Sequence, residues 1–475
     1  MSDNKKYSYL LKNTFLLTLS SFGSKIMTFL LVPLYTEVLS SSDYGTADII
    51  STSAMLFVYI FSLNIGASVL RFALDKNEKS DRVLLFSLKV LGIGTFVVAL
   101  GMLLFIAFNV IDFKPVYYAF LLVIFFVDAL RTIMFQYVRA IDMVKVMAIA
   151  SLTETLIRLL TNILTLLVFG WGLYGYLISL VIGPIVSIVY CSAYIFPLNK
   201  SDFDKEYETR LRKEMISYAI PSAISQLGWW ANNSLDKYFL IAIKGSAVNG
   251  VYAIAYKVPG VMSMLCNIFS QAWGISAIKD YTEDDKDGFF SKTYSTYHAL
   301  LVCVCTGMIL CNVPLATFLY RKDFFTAWKY CPALIIAMMF SGLSSFYSGI
   351  FNAVKKNKDI AKTTIIGALV NIVLNAILIP YISALGAAIA TAVSFYVVWL
   401  GRLVLSRRYL KFKIKIIRDH IVYALLVLQC IFDHMDNHFY IGQAAIVLLI
   451  ALLNVSEIKA CFVKIKGIVL RKRKA

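Results

Sequence analysis

The chain has 475 residues, 59% of them hydrophobic and only 16% charged, with a mean hydropathy of +0.74. A soluble domain carries about 25% charged residues, so the composition excludes a soluble globular protein and indicates an integral membrane protein throughout. The net charge of +18 does not indicate nucleic-acid binding, because the basic residues sit in short loops between apolar runs, as the positive-inside rule describes.

The apolar runs predict an all-α fold of about fourteen membrane spans, each near the roughly 20 residues that cross a bilayer. They fall at about 11–36, 44–70, 84–110, 115–136, 144–169, 172–196, 215–243, 248–275, 293–319, 327–352, 360–381, 384–406, 418–434 and 438–455. The N-terminus is polar and its first apolar run is too long for a signal peptide, so no cleavable leader is expected. Lys and Arg concentrate on one set of connections, including Arg82, Arg139, Arg210, Lys355 and Arg407, and on the tail from Lys464. That bias predicts both termini in the cytoplasm. The segment Ser201–Glu214, rich in both signs of charge, is expected to be the longest cytoplasmic connection and to divide the protein.

A weak internal repeat accompanies that division. Ser42-Asp43-Tyr44-Gly45 opens the second span, and Ala247-Val248-Asn249-Gly250 opens the eighth, 205 residues later. Gly175 and Gly386 stand in corresponding places, 211 residues apart. The expected organisation is a six-helix lobe over 1–200, a second over 201–410, and two further helices with a basic tail over 411–475. Parallel repeats of this kind are common in secondary transporters, with substrate between the repeats.

Ionisable residues inside apolar segments are costly, about 2.5–3.5 kcal/mol at the bilayer centre, and mark functional sites by default. Lys25 lies in the middle of the first span. Thr14, Thr18, Ser21, Lys25 and Thr28 follow helical spacing and share one polar face. Asp48 and Arg71 belong to the second span, Asp128 and Arg131 to the fourth, Glu154 and Arg158 to the fifth, Asp236 and Lys237 to the seventh, and Lys257 to the eighth. Glu154 with Arg158 (i, i+4) and Asp128 with Arg131 (i, i+3) are spaced to neutralise one another, and Arg71 is placed to snorkel. Ser222, Gln226, Asn233 and Lys237 share a face of the seventh span, Lys257, Asn267 and Gln271 one of the eighth, and Thr364, Asn371 and Asn375 one of the eleventh. Such faces either glue helices together or line a wet cavity. Amides and hydroxyls suit sugar hydroxyls, and Trp229 and Trp230 offer stacking surfaces.

Other signals are weak. The eight cysteines form no CxxC and read as small apolar residues. His434 and His438 flank a short loop and lack a closed ligand set. No nucleotide-binding or zinc-protease motif occurs, so no cofactor or metal is expected, and transport draws on ion gradients, substrate gradients or membrane potential.

Lys12-Asn13, Gly23-Ser24-Lys25, Leu31-Val32-Pro33-Leu34-Tyr35, Tyr44-Gly45 and Leu70-Arg71-Phe72, with Asp236 and Gly250-Val251-Tyr252 in the second half, resemble bacterial polysaccharide flippases of the MATE-like multidrug/oligosaccharidyl-lipid/polysaccharide superfamily. The resemblance implies a transporter and not an enzyme, working by alternating access in the bacterial inner membrane. It implies an undecaprenyl-pyrophosphate-linked oligosaccharide moved to the outer leaflet, for O-antigen, capsule or exopolysaccharide. Substrate contacts are then expected at Lys25, Arg71, Arg158, Asn233, Lys237, Lys257 and Gln271, and ion coupling at Asp48, Glu154 and Asp236, with H+ or Na+ as the cation. Membrane lipids and a polysaccharide polymerase are the expected partners. A lipid II-type flippase is the nearest alternative. A cation-coupled drug exporter is disfavoured by fourteen spans, and a membrane polymerase or ligase by the lack of a large catalytic loop.

Overall fold

The computed structural model describes Gly23 and residues 26–75, 77–108, 113–198 and 204–459, and among them every regular element is helical. The helices are α1 (Val32–Val38), α2 (Ser41–Phe61), α3 (Gly66–Ala73), α4 (Ser80–Ala107), α5 (Pro115–Ala140), α6 (Val144–Asn162, continued as a π-turn to Val168), α7 (Gly172–Ile195) and α8 (Lys205–Lys244). They continue with α9 (Ser246–Ala255), α10 (Pro259–Lys279), α11 (Phe289–Leu310), α12 (Asn312–Leu319), α13 (Cys331–Ala353), α14 (Asn357–Ser406), α15 (Ile416–Asp433) and α16 (Tyr440–Leu453). Nine described helices are long and apolar enough to cross a membrane. Every predicted span falls on helix, the first only over its described part.

Several predicted spans are broken. The run 44–70 is interrupted at Ser62–Ile65, where Leu63 and Asn64 take left-handed backbone angles, φ 53° and 48°. A break at membrane depth frees backbone groups that protein must satisfy. Here Ser62 Oγ donates to Val58 O (2.6 Å), and Asn64 Nδ2 donates to Ser222 Oγ (3.0 Å). Ser68 Oγ, just beyond, donates to Met215 O (2.8 Å). The run 248–275 is divided at Tyr256–Val258, where Pro259 has no N–H to continue the hydrogen-bond ladder and instead opens α10 at its first turn. The run 293–319 is divided at Cys311. The eleventh and twelfth spans, together labelled α14, are two helices that meet at a kink after Pro380, where Ile382 and Ser383 leave helical backbone angles (Ser383 φ 51°, ψ -136°), so the boundary expected between 381 and 384 is present.

The connection Ser201–Glu214 is helical over most of its length. Helix α8 begins at Lys205, since Asp204 Oδ1 accepts the Glu206 and Tyr207 N–H groups at 3.0 and 3.2 Å. The charges that mark the connection are spaced i, i+4 (Glu208–Arg212, Arg210–Glu214) and pair along the helix.

The chain forms two compact units, Met1–Ser234 and Leu235–Ala475, with α8 running through the boundary. In unit 1, α4 crosses the end of α2 so closely that a Cβ on Gly94 would lie 2.1 Å from Phe61 O. Its outward face carries Ile93, Phe96, Val97 and Leu100, all exposed, as acyl chains require. In unit 2, α13 is the enclosed helix, with Phe346, Tyr347 and Phe351 fully buried. The two C-terminal helices belong to this unit. Thr306 and Gln429 exchange hydrogen bonds of 2.7 and 3.0 Å, and Asn312 donates to Asp433 (2.7 Å).

Candidate functional site

Lys25, with Thr14, Thr18 and Ser21, lies outside the described residues. The remaining predicted residues fall into separate clusters within the two units.

In unit 1 the fourth and fifth spans, α5 and α6, place their charges together. Glu154 sits 3.2 Å from Arg158 and 3.7 Å from Arg131, while Arg131 is 3.8 Å from Asp128. Ser187 Oγ of α7 donates to the second Glu154 oxygen (3.3 Å). Two guanidinium groups and two carboxylates therefore balance, and Glu154 is the node. Glu154 is buried while Asp128, Arg131 and Arg158 are half-buried, so removing the shared carboxylate costs less than the about 3–5 kcal/mol of a fully buried pair. Asp48 is half-buried one helical turn beyond Tyr44. Asn233 donates to its own helix at Trp229 O (2.8 Å), and of the adjacent tryptophans Trp229 is exposed while Trp230 donates to Thr52 O (3.2 Å).

Arg71 lies at the end of α3, exposed, 3.5 Å from Asp75. It lines a cavity of about 700 Å³ shared with Arg210, Lys213, Glu214 and Tyr218 of α8. Beside it Glu78 accepts from Arg210 (3.0 Å) and from the Tyr207 hydroxyl (2.8 Å), which in turn accepts the Lys79 N–H (2.7 Å). Burial, and then the Glu78 charge, push the Tyr207 phenol up to about 12, so it remains a hydrogen-bond donor at physiological pH. Arg82 completes the contact with Glu208 (3.1 Å).

Unit 2 holds a buried carboxylate. Asp236 Oδ2 accepts the hydroxyls of Tyr252 (2.6 Å), Tyr256 (3.1 Å) and Thr391 (3.3 Å), and Oδ1 accepts the Lys237 N–H (2.9 Å). The network extends along α14. Asn371 donates to Thr391 (3.4 Å) and Asn375 donates to Asn371 (2.8 Å), while the buried Asn375 Oδ1 has no hydrogen-bond donor among the described residues. This is a set of hard oxygen donors around one negative charge, the chemistry that suits a proton or an alkali cation. Among the described residues no group of three or more His, Cys, Asp or Glu side chains is placed to hold a metal ion. The Lys237 ammonium lies 6.0 Å from the Tyr256 ring centre. Lys257 is half-buried between α9 and α10, and Gln271 is exposed on α10.

Sequence reading singled out Asp236 but not its tyrosines, and it missed Arg402 altogether. Arg402 is buried on the second half of α14. Its guanidinium donates to Thr363 Oγ1 (3.2 Å), Ser344 O (3.0 Å), Ser348 Oγ (2.8 Å) and Thr364 Oγ1 (3.0 Å). All four acceptors are neutral, and no carboxylate among the described residues pairs with it. The signal was a lone cation in the run Val397–Ser406, overshadowed by Arg407 and Arg408.

A helical chain with lipid-suited outer faces and internal carboxylate, amide and tyrosine networks is a multi-pass membrane transporter. The sequence profile of the polysaccharide biosynthesis protein family matches residues 10–273, and the chain belongs to that family. It is 22% identical to the lipid II flippase MurJ of Bacillus subtilis (strain 168), with 89% of this chain and 87% of that protein aligned. Its fold is similar to a solved lipid II flippase MurJ in an inward closed conformation, with TM-score 0.68, 16% identity, and coverage of 94% of this chain and 100% of the other. It is also similar to an inward-facing MATE family multidrug resistance transporter of the MOP superfamily, with TM-score 0.60, 14% identity, and coverage of 80% and 98%. The chain shares its fold with these two transporters.

Proposed function

We propose that the protein is a flippase that moves undecaprenyl-pyrophosphate-linked oligosaccharide from the cytoplasmic to the outer leaflet of the bacterial inner membrane by alternating access. The observation that carries this reading is the polysaccharide biosynthesis family match over residues 10–273 in a chain of membrane-spanning helices. Both termini are cytoplasmic in this reading, in line with the Lys and Arg bias, and the first and second six-helix lobes with the two added helices are its working parts. Lys25, Arg71, Lys237 and Lys257 serve the pyrophosphate, whose anionic oxygens suit ammonium and guanidinium donors. Asn233 and Gln271 serve sugar hydroxyls. Arg158 is a further candidate contact, although Glu154 already engages it.

Transport draws on a cation gradient, H+ or Na+, through a carboxylate. Asp236 is the strongest of the three candidates, because four donors converge on it in a buried oxygen-rich network. Glu154 is held by two arginines, and Asp48 is half-buried. A polysaccharide polymerase receives the product. The test is complementation of a strain deleted for the gene. Lys25→Ala at equal membrane expression is expected to abolish surface polysaccharide, and normal polysaccharide would sink the role of that lysine.

A second reading, a lipid II-type peptidoglycan precursor flippase, is favoured by the 22% identical relative that bears that name. Rescue of a strain depleted of its lipid II flippase separates the two. The first reading expects no rescue there and restored polysaccharide in the deletion strain.

A further inference from the structure

The cavity at the end of α3 has about 700 Å³ of space, within the roughly 300–1,000 Å³ of small-ligand pockets. Its lining carries both signs of charge, Arg71, Arg210 and Lys213 against Asp75, Glu78 and Glu214, and Arg71 and Lys213 fall just outside the predicted spans 44–70 and 215–243. Its cations are not equally committed. Arg210 is held twice, by Glu78 at 3.0 Å and by Glu214 at 3.7 Å. Arg71 has one contact, 3.5 Å from Asp75, with 59% of its side chain exposed. Lys213 is exposed and has no acidic partner among the described residues. An exposed i, i+4 pair is worth about 0.3–0.5 kcal/mol, so Arg71 can exchange Asp75 for another anion with little loss. The buried acid of the cluster, Glu78, is saturated by Arg210 and Tyr207 and presents little free charge to the cavity.

We propose that this cavity captures a diphosphate through Arg71 and Lys213, and that its ligand is the headgroup of the lipid-linked substrate before translocation. The inference rests on the flippase reading above and adds to it a place of first contact. A guanidinium fork grips two phosphate oxygens while an ammonium supplies a point charge, a division of labour that suits a diphosphate. Asp75 competes with the ligand for Arg71, and Glu214, paired with Arg210, adds negative charge to the cavity that opposes an anion. These two acids keep the site weak, as a capture site must be if the headgroup is to move on. Arg71 belongs to the sequence-predicted set, whereas Lys213 counted there only among the basic residues of a cytoplasmic connection.

The test uses the full-length protein in nanodiscs, with binding read by thermophoresis and folding by thermal melt. The probes are undecaprenyl pyrophosphate, undecaprenol and inorganic pyrophosphate. Arg71→Ala and Lys213→Ala are each expected to weaken undecaprenyl pyrophosphate binding about tenfold, which corresponds to about 1.4 kcal/mol. Glu214→Gln is expected to strengthen it, and Lys329→Ala in the other unit to leave it unchanged. Undecaprenol is expected not to bind, and inorganic pyrophosphate to compete. If the wild type binds undecaprenyl pyrophosphate and folded Arg71→Ala and Lys213→Ala bind it equally well, the capture site is overturned while the flippase reading stands. If inorganic pyrophosphate binds in an Arg71- and Lys213-dependent way and the lipid does not, the lipid source is overturned. If the wild type binds no diphosphate, the substrate reading falls with it.

Discussion

Replacing Asp236 by asparagine separates the charge of the network from its shape. The carboxylate receives three hydroxyls and one backbone N–H. Hydrogen bonds to a charged group contribute about 1.5–3 kcal/mol each, and desolvating the carboxylate costs several kcal/mol, so the two terms nearly offset. The substituted amide keeps one acceptor oxygen for Tyr252 and for one further donor, and it removes the buried charge. The expected change in stability is therefore below about 2 kcal/mol, a shift of a few degrees for a chain of this size. Alanine differs, because it strands three hydroxyls at about 1–3 kcal/mol each where they find no new partner. Transport is expected to behave in the opposite way. Asp236→Asn is folded and yet unable to couple to a cation gradient, so gradient-driven flipping in proteoliposomes is lost while the melt is nearly retained. Asp236→Asn protein whose transport still responds to an imposed H+ or Na+ gradient as the wild type does would refute the reasoning.

Three other perturbations test the same physical account. Arg402→Met removes four hydrogen bonds, which at about 0.6 kcal/mol per intramembrane bond lowers stability by about 2 kcal/mol, and an unchanged thermal melt contradicts this. Glu154→Gln leaves Arg131 and Arg158 without their shared carboxylate and is expected to lower stability by less than the about 3–5 kcal/mol of a fully buried pair, because both arginines are half-buried. The double variant Glu154→Gln/Arg158→Gln is expected to recover part of that loss, and strictly additive melts count against the pairing. Glu457, past the end of α16, is held down to about 2 against burial, which alone would raise it, by Ser456, Arg418 and Lys415. Its folded-state value is depressed, so its stabilisation is complete above the ordinary value of 4.5 and fades as pH falls toward about 2. Melts of wild type and Glu457→Gln are expected to converge over that window and to differ above it.

The spans were legible because a continuous apolar run has few other solutions in a membrane. Interruptions were legible only where a residue imposes them. Pro259 explains the break between α9 and α10, but nothing local in Ser62–Ile65 announces two left-handed residues. Those are sustained by Ser222, 158 residues from its partner Asn64. The mixed charges of Lys205–Glu214 read only as a connection until their i, i+4 pairing is considered. Asp236 was visible as a carboxylate in an apolar run, whereas Thr391 approaches it from 155 residues away. The pairs within α5 and α6 were readable from spacing, but the Arg131–Glu154 contact that joins them depends on packing between the helices.

The central claim is tested most directly by reconstituting the purified protein in proteoliposomes loaded with a fluorescent undecaprenyl-pyrophosphate-linked oligosaccharide. Accessibility of the glycan to a membrane-impermeant reagent on each side is then measured. The account predicts protein-dependent movement of the glycan across the bilayer, weakened by Arg71→Ala and Lys257→Ala and dependent on Asp236. Glycan that stays in its original leaflet at the rate of protein-free liposomes, with folded wild-type protein present, would contradict it.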